Sequence, residues 1–239
     1  SGSAINSTIT ISYSSFNGNI FASLSAGFMS YYNGIFGTIN LIKNNFNGNI
    51  KGDIEFPNEY GYSSGFVGSN NAIFGNLNIQ DCVFDGYINQ FGSAGIIGIL
   101  NLTPYGIFGN AFPYEEYSPT GNIFLSGCVM KGIIDGYGIG GIVGFDFGFY
   151  IMNSNNVNNG KFTMESCTFV GEIGGGGSAG LIAGAIFIEP ESWIFDDVLI
   201  ENSKSKCNVN ESTCVALIGQ GLPENFYTIE NSHNDITIN

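Results

Sequence analysis

One short pattern recurs seven times along the 239-residue chain, and this repetition restricts the fold more than any other feature of the sequence. Counting from Leu77 as position 0, the pattern places apolar or small residues at positions 0, +2, +5, +7, +9 and +11. A second motif of small and aliphatic residues, such as SAGIIG, follows every copy except the last. The seven copies, numbered 1 to 7 in chain order, begin at Ile9, Ile39, Leu77, Ile123, Phe162, Val198 and Tyr227. Seven matches indicate one structural unit that the chain repeats.

The spacing within a copy predicts short strands. Positions +5, +7, +9 and +11 share one parity, as residues on one face of a strand do, whereas positions 0 and +2 have the opposite parity. We therefore expect a bend between the two runs, in polar pairs such as Gln80–Asp81 and Glu165–Ser166. No stretch shows a convincing apolar stripe with helical spacing and caps. The sequence thus predicts an all-β fold with two or three strands in each copy.

The predicted architecture is a single domain over residues 1–239, a right-handed parallel β-solenoid (β-helix) of about seven irregular coils with uncapped ends. Each copy would form one coil, and equivalent residues would stack about 4.8 Å apart. The SAGIIG motif would add a strand with Ile96 or Ile97 facing the core, and Gly86 would lie where a side chain does not fit. One core column would consist of Phe16, Phe46, Phe84, Met130 and Phe169.

The segment from Gly121 to Gly144, GNIFLSGCVMKGIIDGYGIGGIVG, resembles the GLUG-type repeat of bacterial adhesins and other surface proteins. In that pattern, a G-x-h-x-x-C-x-x-x-G-x-h run is joined to a G-G-h-h-G run. The resemblance covers most of the chain, although copies 1, 6 and 7 depart from it. It implies a β-helical scaffold at a cell surface, and it implies no reaction and no catalytic residue.

Charge and composition exclude several classes of function. The net charge is −14, and the six basic residues are all lysine. Nucleic-acid binding requires basic surfaces, so we expect no nucleic-acid partner. No apolar run reaches the length of a membrane-spanning helix, so we expect no membrane insertion. The chain starts at SGSAIN without an initiator methionine or signal sequence, which favours a processed secreted protein or a segment of a longer one, located extracellularly or at the cell surface.

The five cysteines form two groups. Cys207 and Cys214 flank a short polar loop, and a disulfide that closes this loop is a reasonable expectation. Cys82, Cys128 and Cys167 share position +5 of three consecutive copies. Either one neighbouring pair of these three is oxidised or all three form a column of small buried thiols, and we favour the column. The spacing of the thiols does not match a metal site, and we predict neither a metal nor a cofactor.

Asparagines and aromatic residues in the predicted loops suggest modification and lateral contacts. Three sequons would accept glycans in a secreted protein, at Asn6, Asn101 and Asn210. Three aromatic segments lie between the SAGIIG-type motif of one copy and the start of the next, and they predict a lateral contact surface on one flank. The residues chosen for this surface are Tyr105, Phe108, Phe112, Tyr114, Tyr117, Phe149 and Trp193.

The ends of the predicted solenoid suggest self-assembly. Copy 1 has no helix and no proline before it, the first charged residue is Lys43, and the chain stops at Ile238–Asn239 while still in the strand pattern, so neither end has the usual cap of such a fold. An uncapped last coil could therefore stack on the first coil of another molecule. Such a head-to-tail contact does not close on itself and generates a filament. The residues predicted to form it are Ile9, Ile11, Phe16, Ile20, Ile229, Ile236 and Ile238.

The leading hypothesis is a non-enzymatic, extracellular structural protein that assembles with itself into a filament or a surface coat. The alternative is an adhesin-type binding module whose aromatic flank recognises glycans or another surface. A polysaccharide-active β-helix enzyme is the third hypothesis. It is disfavoured because the acidic residues do not form a clean pair, arginine is absent and the single histidine, His233, lies in the last copy.

Overall fold

The structure is a computed structural model that describes twelve segments of the chain and contains only strands, turns and irregular segments within them. The described residues are 7–21, 25–29, 37–51, 63–68, 75–90, 92–98, 122–136, 138–144, 160–175, 178–182, 195–209 and 227–238. They contain fourteen β-strands and no helix, which confirms the all-β prediction for this part of the chain.

The strands form two seven-stranded parallel sheets, and every copy of the repeat contributes one strand to each. The first sheet contains β1 (Thr8–Ser12), β3 (Thr38–Ile42), β5 (Asn76–Gln80), β7 (Asn122–Ser126), β9 (Gly160–Glu165), β11 (Phe195–Glu201) and β13 (Tyr227–Glu230), in that order. The second contains β2 (Ser15–Ile20), β4 (Asn45–Ile50), β6 (Val83–Ile88), β8 (Val129–Asp135), β10 (Thr168–Gly174), β12 (Lys204–Val209) and β14 (His233–Ile238). Two sheets stacked in chain order are compatible with a parallel β-solenoid.

The pairing register matches the repeat position by position. In the second sheet, Phe46 pairs with Phe16 on one side and with Phe84 on the other, and all three occupy position +7. In the first sheet, Leu77 pairs with Ile39 in the same way at position 0. The periodicity of the sequence therefore predicted which residues are neighbours across both sheets.

A single residue in the left-handed region joins the two strands of each copy. Asp81 has a φ of 52° and Ser166 a φ of 55°, and the equivalent Gly127 has a φ of 63°. Such a residue turns the chain, so the inward positions change parity between β5 and β6. Its N–H also pairs with the next copy, as in the 2.9 Å hydrogen bond that Asp81 donates to the Ser126 carbonyl. The predicted bends are confirmed.

The SAGIIG-type motifs form a third line of contact between copies 1 to 5. Each motif makes two isolated parallel bridges, such as Ala94 with Gly140 and Ile97 with Val143, instead of the continuous strand that the sequence predicts. The chain bends between the two bridges, where Gly95 lies against the Gly141 carbonyl. Because of this bend, Ile96 and Ile97 are both fully buried, whereas a regular strand would bury one of them.

The core lies between the two sheets and this third line. Aromatic rings at position +7 stack face to face, with centroids 4.8 Å apart for Phe16 and Phe46 and 4.9 Å apart for Phe46 and Phe84. Met130 and Phe169 continue the column and are fully buried. The predicted core column is therefore present, and its spacing is that of parallel strands.

Candidate assembly site

The outer edges of the two sheets are the surfaces that could join one molecule to another. β1 and β2 are the first strands of the two sheets, and β13 and β14 are the last. Among the described residues, no further strand pairs with either edge. An edge strand presents N–H and C=O groups that can pair with another chain.

The first edge exposes the end of the apolar core. Ile9, Ile11 and Phe16 pack against the core but are only half-buried. Their equivalents one copy further on, Ile39 and Leu41 among them, are fully buried. Among the described strands, a neighbouring copy lies on each side of copy 2 but on one side only of copy 1, and this accounts for the difference in burial.

The last edge repeats this situation at the other end. Ile229 in β13 is 39% exposed, whereas the equivalent Ile200 in β11 is 1% exposed. Ile236 and Ile238 lie in β14, and their side chains fall outside the described residues. The structure thus brings the predicted assembly residues together in two groups. Ile9, Ile11, Phe16 and Ile20 lie on the first edge, and Ile229, Ile236 and Ile238 lie on the last.

A column of small polar and thiol side chains runs along the bend between the two sheets. Its members at position +5 are Ser14, Asn44, Cys82, Cys128, Cys167, Ser203 and Ser232. The serine and cysteine side chains donate to the carbonyl two residues earlier, as in Ser203 Oγ to Glu201 O at 3.1 Å. Ser203 Oγ also accepts a 3.1 Å hydrogen bond from the Cys167 N–H of the preceding copy. We name this set the corner column, and its hydrogen bonds join successive copies.

Three consecutive members of the corner column are free thiols, Cys82, Cys128 and Cys167, and all three are fully buried. Burial raises the pKa of Cys82 to about 12, with a further contribution from the neighbouring Cys128. Hydrogen bonding to Cys167 and burial raise the pKa of Cys128 well above its ordinary value. The Cys82 and Cys128 thiols therefore remain protonated at neutral pH, which makes them poor nucleophiles and poor metal ligands.

The raised pKa of Cys82 predicts a loss of stability at alkaline pH. The unfolded chain releases the thiol proton near the ordinary pKa of 9.0, whereas the folded protein holds it until about pH 12. The contribution is complete below pH 9 and decreases as the pH rises towards 12, by up to about 1.4 kcal/mol per pH unit. Denaturant unfolding between pH 8 and pH 11 measures this slope. Cys82→Ser lacks the titrating group, so an equally steep slope in that variant would contradict the assignment.

A second polar line lies beside the SAGIIG-type motifs. Ser63 Oγ accepts a 3.1 Å hydrogen bond from the Ser25 N–H, and Ser93 Oγ accepts one of 3.0 Å from the Ser63 N–H. The adjacent Ser64 hydroxyl is buried without a hydrogen-bond partner. Alanine occupies the position of Ser64 in both neighbouring copies, at Ala26 and Ala94. The serine at position 64 is therefore a local defect in an otherwise apolar line.

We expect Ser64→Ala to raise the free energy of unfolding by about 1 kcal/mol, because it removes a buried hydroxyl that makes no hydrogen bond. Ser63→Ala is the matched control, since it deletes an acceptor one residue away and should lower stability by about 1 kcal/mol. Equilibrium denaturation of the two variants tests both signs. A Ser64→Ala variant that is less stable than the parent protein would contradict the conclusion that the buried Ser64 hydroxyl lowers stability.

Several predicted sites lie outside the described residues. They are the sequons Asn6, Asn101 and Asn210, together with Cys214 and the lateral residues Tyr105, Phe108, Phe112, Tyr114, Tyr117, Phe149 and Trp193. Cys207 lies in β12, but its side chain is not described, so its disulfide with Cys214 stays a prediction. Glycan attachment and the aromatic flank of the adhesin alternative also stay predictions.

The described part of the chain contains no cluster of three metal-binding side chains. Within the same segments, no helix is long and apolar enough to cross a membrane. Asp135 accepts a 3.1 Å hydrogen bond from the Tyr87 hydroxyl on the surface, and Asp85 pairs in register with Lys131. These carboxylates belong to the outer faces of the strands and do not converge on one point.

Comparisons of the sequence with family models, with curated proteins and with solved structures give no match. The function is therefore inferred from the geometry of the chain. The resemblance to GLUG-type repeats stays a prediction from the sequence.

Proposed function

We propose that this chain is an extracellular structural protein that stacks head to tail, through pairing of its end strands, into a filament or a surface coat. The proposal takes each repeat copy as one coil of a right-handed parallel β-solenoid with about seven coils and uncapped ends. The single observation that carries it is the pair of open sheet edges, where half-buried apolar residues continue the core columns.

The first edge is complementary to the last edge rather than to a second copy of itself. One edge belongs to β1 and β2 and the other to β13 and β14, so contact between them is heterologous and can continue indefinitely. Copy 1 carries no charged residue from Thr8 to Ile20, whereas copy 7 carries Glu230 and Asp235. Stacking copy 7 on copy 1 therefore brings no like charges together. Each new junction buries Ile9, Ile11 and Phe16, and burial of one such side chain contributes about 1.5–3 kcal/mol.

The sequence supports the cellular setting of the proposal. The resemblance of Gly121–Gly144 to GLUG-type repeats favours a cell-surface scaffold, and we propose that the chain belongs with those repeats. The net charge of −14 on 239 residues would keep the flanks of neighbouring filaments apart while their ends associate.

Electron microscopy of the purified chain tests the proposal. Filaments should form, with an axial repeat of about 34 Å for seven strand spacings of 4.8 Å. Particle size should increase with protein concentration in light scattering, because every junction is a bimolecular contact. Single particles of one rod length at all concentrations would refute head-to-tail assembly.

A further inference from the structure

A column of glycines in the second sheet marks where backbones of successive copies lie closest together. At position +9, a Cβ atom added to Gly48, Gly86, Gly132 or Gly171 would overlap the carbonyl oxygen of the glycine in the preceding copy. At these four positions the backbone of the preceding copy leaves no room for a Cβ atom. Copies 6 and 7 depart from this rule with Cys207 and Ile236.

Gly18 is the first glycine of this column, and nothing described in the chain requires it. Among the described residues, a Cβ atom on Gly18 would meet only the Phe16 ring, at 3.4 Å, which is an ordinary contact. The φ of Gly18 also lies outside the left-handed region, so other residues could adopt its conformation. The space above Gly18 is the space that a preceding backbone fills at Gly48 and Gly86.

The geometry points to a specific junction, in which copy 7 of one molecule lies above copy 1 of the next in the same register that joins copies within the chain. This inference rests on the proposed function and adds the register of the contact. In that register, the carbonyl of Ile236 covers Gly18, Ile229 covers Ile11 and Thr228 lies above Thr10. The occupant of the first edge is therefore the last edge of a second copy of this chain.

The corner column supports the same register. Within the chain, an N–H at position +5 donates to the side chain at position +5 of the next copy, as from Ser203 to Ser232 Oγ at 3.1 Å. Ser14 Oγ donates to the Ser12 carbonyl at 3.1 Å, as Ser232 Oγ does to Glu230 at 3.1 Å. Ser14 Oγ thus keeps an acceptor site for the Ser232 N–H of a second molecule.

The outward-facing residues of copies 1 and 7 are also compatible with this register. The residue before β1 shows where the close approach of the two backbones begins. Glu230 would lie above Ser12 and Asp235 above Asn17, so both carboxylates meet neutral side chains. A Cβ on Gly37 would contact the Ser7 backbone, and in copy 1 that position is serine rather than glycine. The close approach therefore begins inside β1, at Thr8.

Engineered disulfides test the register directly. Thr10 and Thr228 are both exposed, and in the proposed junction their Cα atoms lie one strand spacing apart, about 4.8 Å, within disulfide range. Within one molecule they are separated by six spacings, about 29 Å. The double variant Thr10→Cys/Thr228→Cys should therefore form a ladder of covalent oligomers on oxidation and no internal bridge. The unsubstituted chain, with its five native cysteines, is oxidised in parallel as a blank.

The matched control shifts one cysteine out of register. Thr8 is also exposed and faces the same side of β1, but Thr8→Cys/Thr228→Cys places the Cα atoms about 8 Å apart, beyond disulfide range. Filaments that cross-link equally or better through residue 8 would overturn the register while leaving head-to-tail assembly intact. A chain that forms no filaments and no ladder would overturn both proposals.

Gly18→Ala supplies a second measurement without cysteine chemistry. The added methyl group has room in the isolated molecule but points into the junction, so thermal stability should be unchanged while the concentration needed for assembly rises by at least about tenfold. Gly174→Ala makes the same change in copy 5, away from both edges, where a Cβ atom meets nothing closer than 3.4 Å, and it should leave that concentration unaltered. Normal assembly of Gly18→Ala would overturn the proposed register.

Discussion

Replacing Phe84 by alanine is expected to lower the free energy of unfolding by about 4 kcal/mol. Phe84 is fully buried in the middle of the second sheet, and its ring stacks on Phe46 with an interplanar angle of 7°. A Cβ on Gly95 would lie 3.3 Å from the Phe84 ring, which shows how closely the ring fits against the third line of contacts. Neighbouring copies hold the backbone on both sides, so the cavity left by alanine cannot collapse.

Denaturant unfolding measures this loss, and Phe84→Met is the matched control. Methionine stands naturally at the same position in copy 4, as Met130, where it is fully buried. The methionine variant should lose about 1 kcal/mol, since it keeps most of the side-chain volume. Equal losses for the two variants would show that ring volume is not what stabilises this column.

The sequence predicted which residues are neighbours in both sheets because two independent features determine the pairing register. An apolar residue such as Phe84 must face the core, and a slip by one residue would expose the whole set. The small residue two positions later must then meet its equivalents, as Gly86 meets Gly48 and Gly132. The bend at Asp81 was predictable for a similar reason, because the change of parity at that point requires an unusual backbone conformation.

Other features depend on three-dimensional detail that the sequence does not carry. The Asn44 side-chain amide, for example, bridges two copies, accepting from the Ser14 N–H at 2.9 Å and donating to the Ile11 carbonyl at 2.9 Å. A serine or asparagine at position +5 indicates only a small polar side chain until the neighbouring carbonyls are placed. The paired bridges of the SAGIIG motif were missed because small residues fit a strand and a bend equally well.

The candidate site was partly predictable on the same grounds. The apolar residues of copies 1 and 7 were expected at the ends because an end copy has one neighbour, and the exposure of Ile229 agrees with this. The space above Gly18 could not be predicted, because the sequence does not show which glycines of a glycine-rich repeat have another backbone packed against them.

Gly86→Ala should lower the free energy of unfolding by about 3 kcal/mol, although it adds only one methyl group. The new Cβ would overlap the Gly48 carbonyl oxygen, and that carbonyl belongs to a strand held in register on both sides. Removing this overlap requires β4 and β6 to separate locally, which breaks hydrogen bonds between the two strands as well as core contacts. Thermal or denaturant unfolding of the purified variant measures the loss.

Gly18→Ala is the control for this substitution, since it makes the same chemical change in the same column, at a position with no described strand above it. It should leave the isolated molecule within about 0.5 kcal/mol of the parent, or stabilise it slightly by restricting the unfolded chain. The contrast isolates the overlying backbone as the cause, because strand propensity and side-chain volume change equally in both variants. Similar losses at residues 18 and 86 would instead mean that glycine is required by the conformation of the strand itself, and the space above Gly18 would lose its significance for assembly.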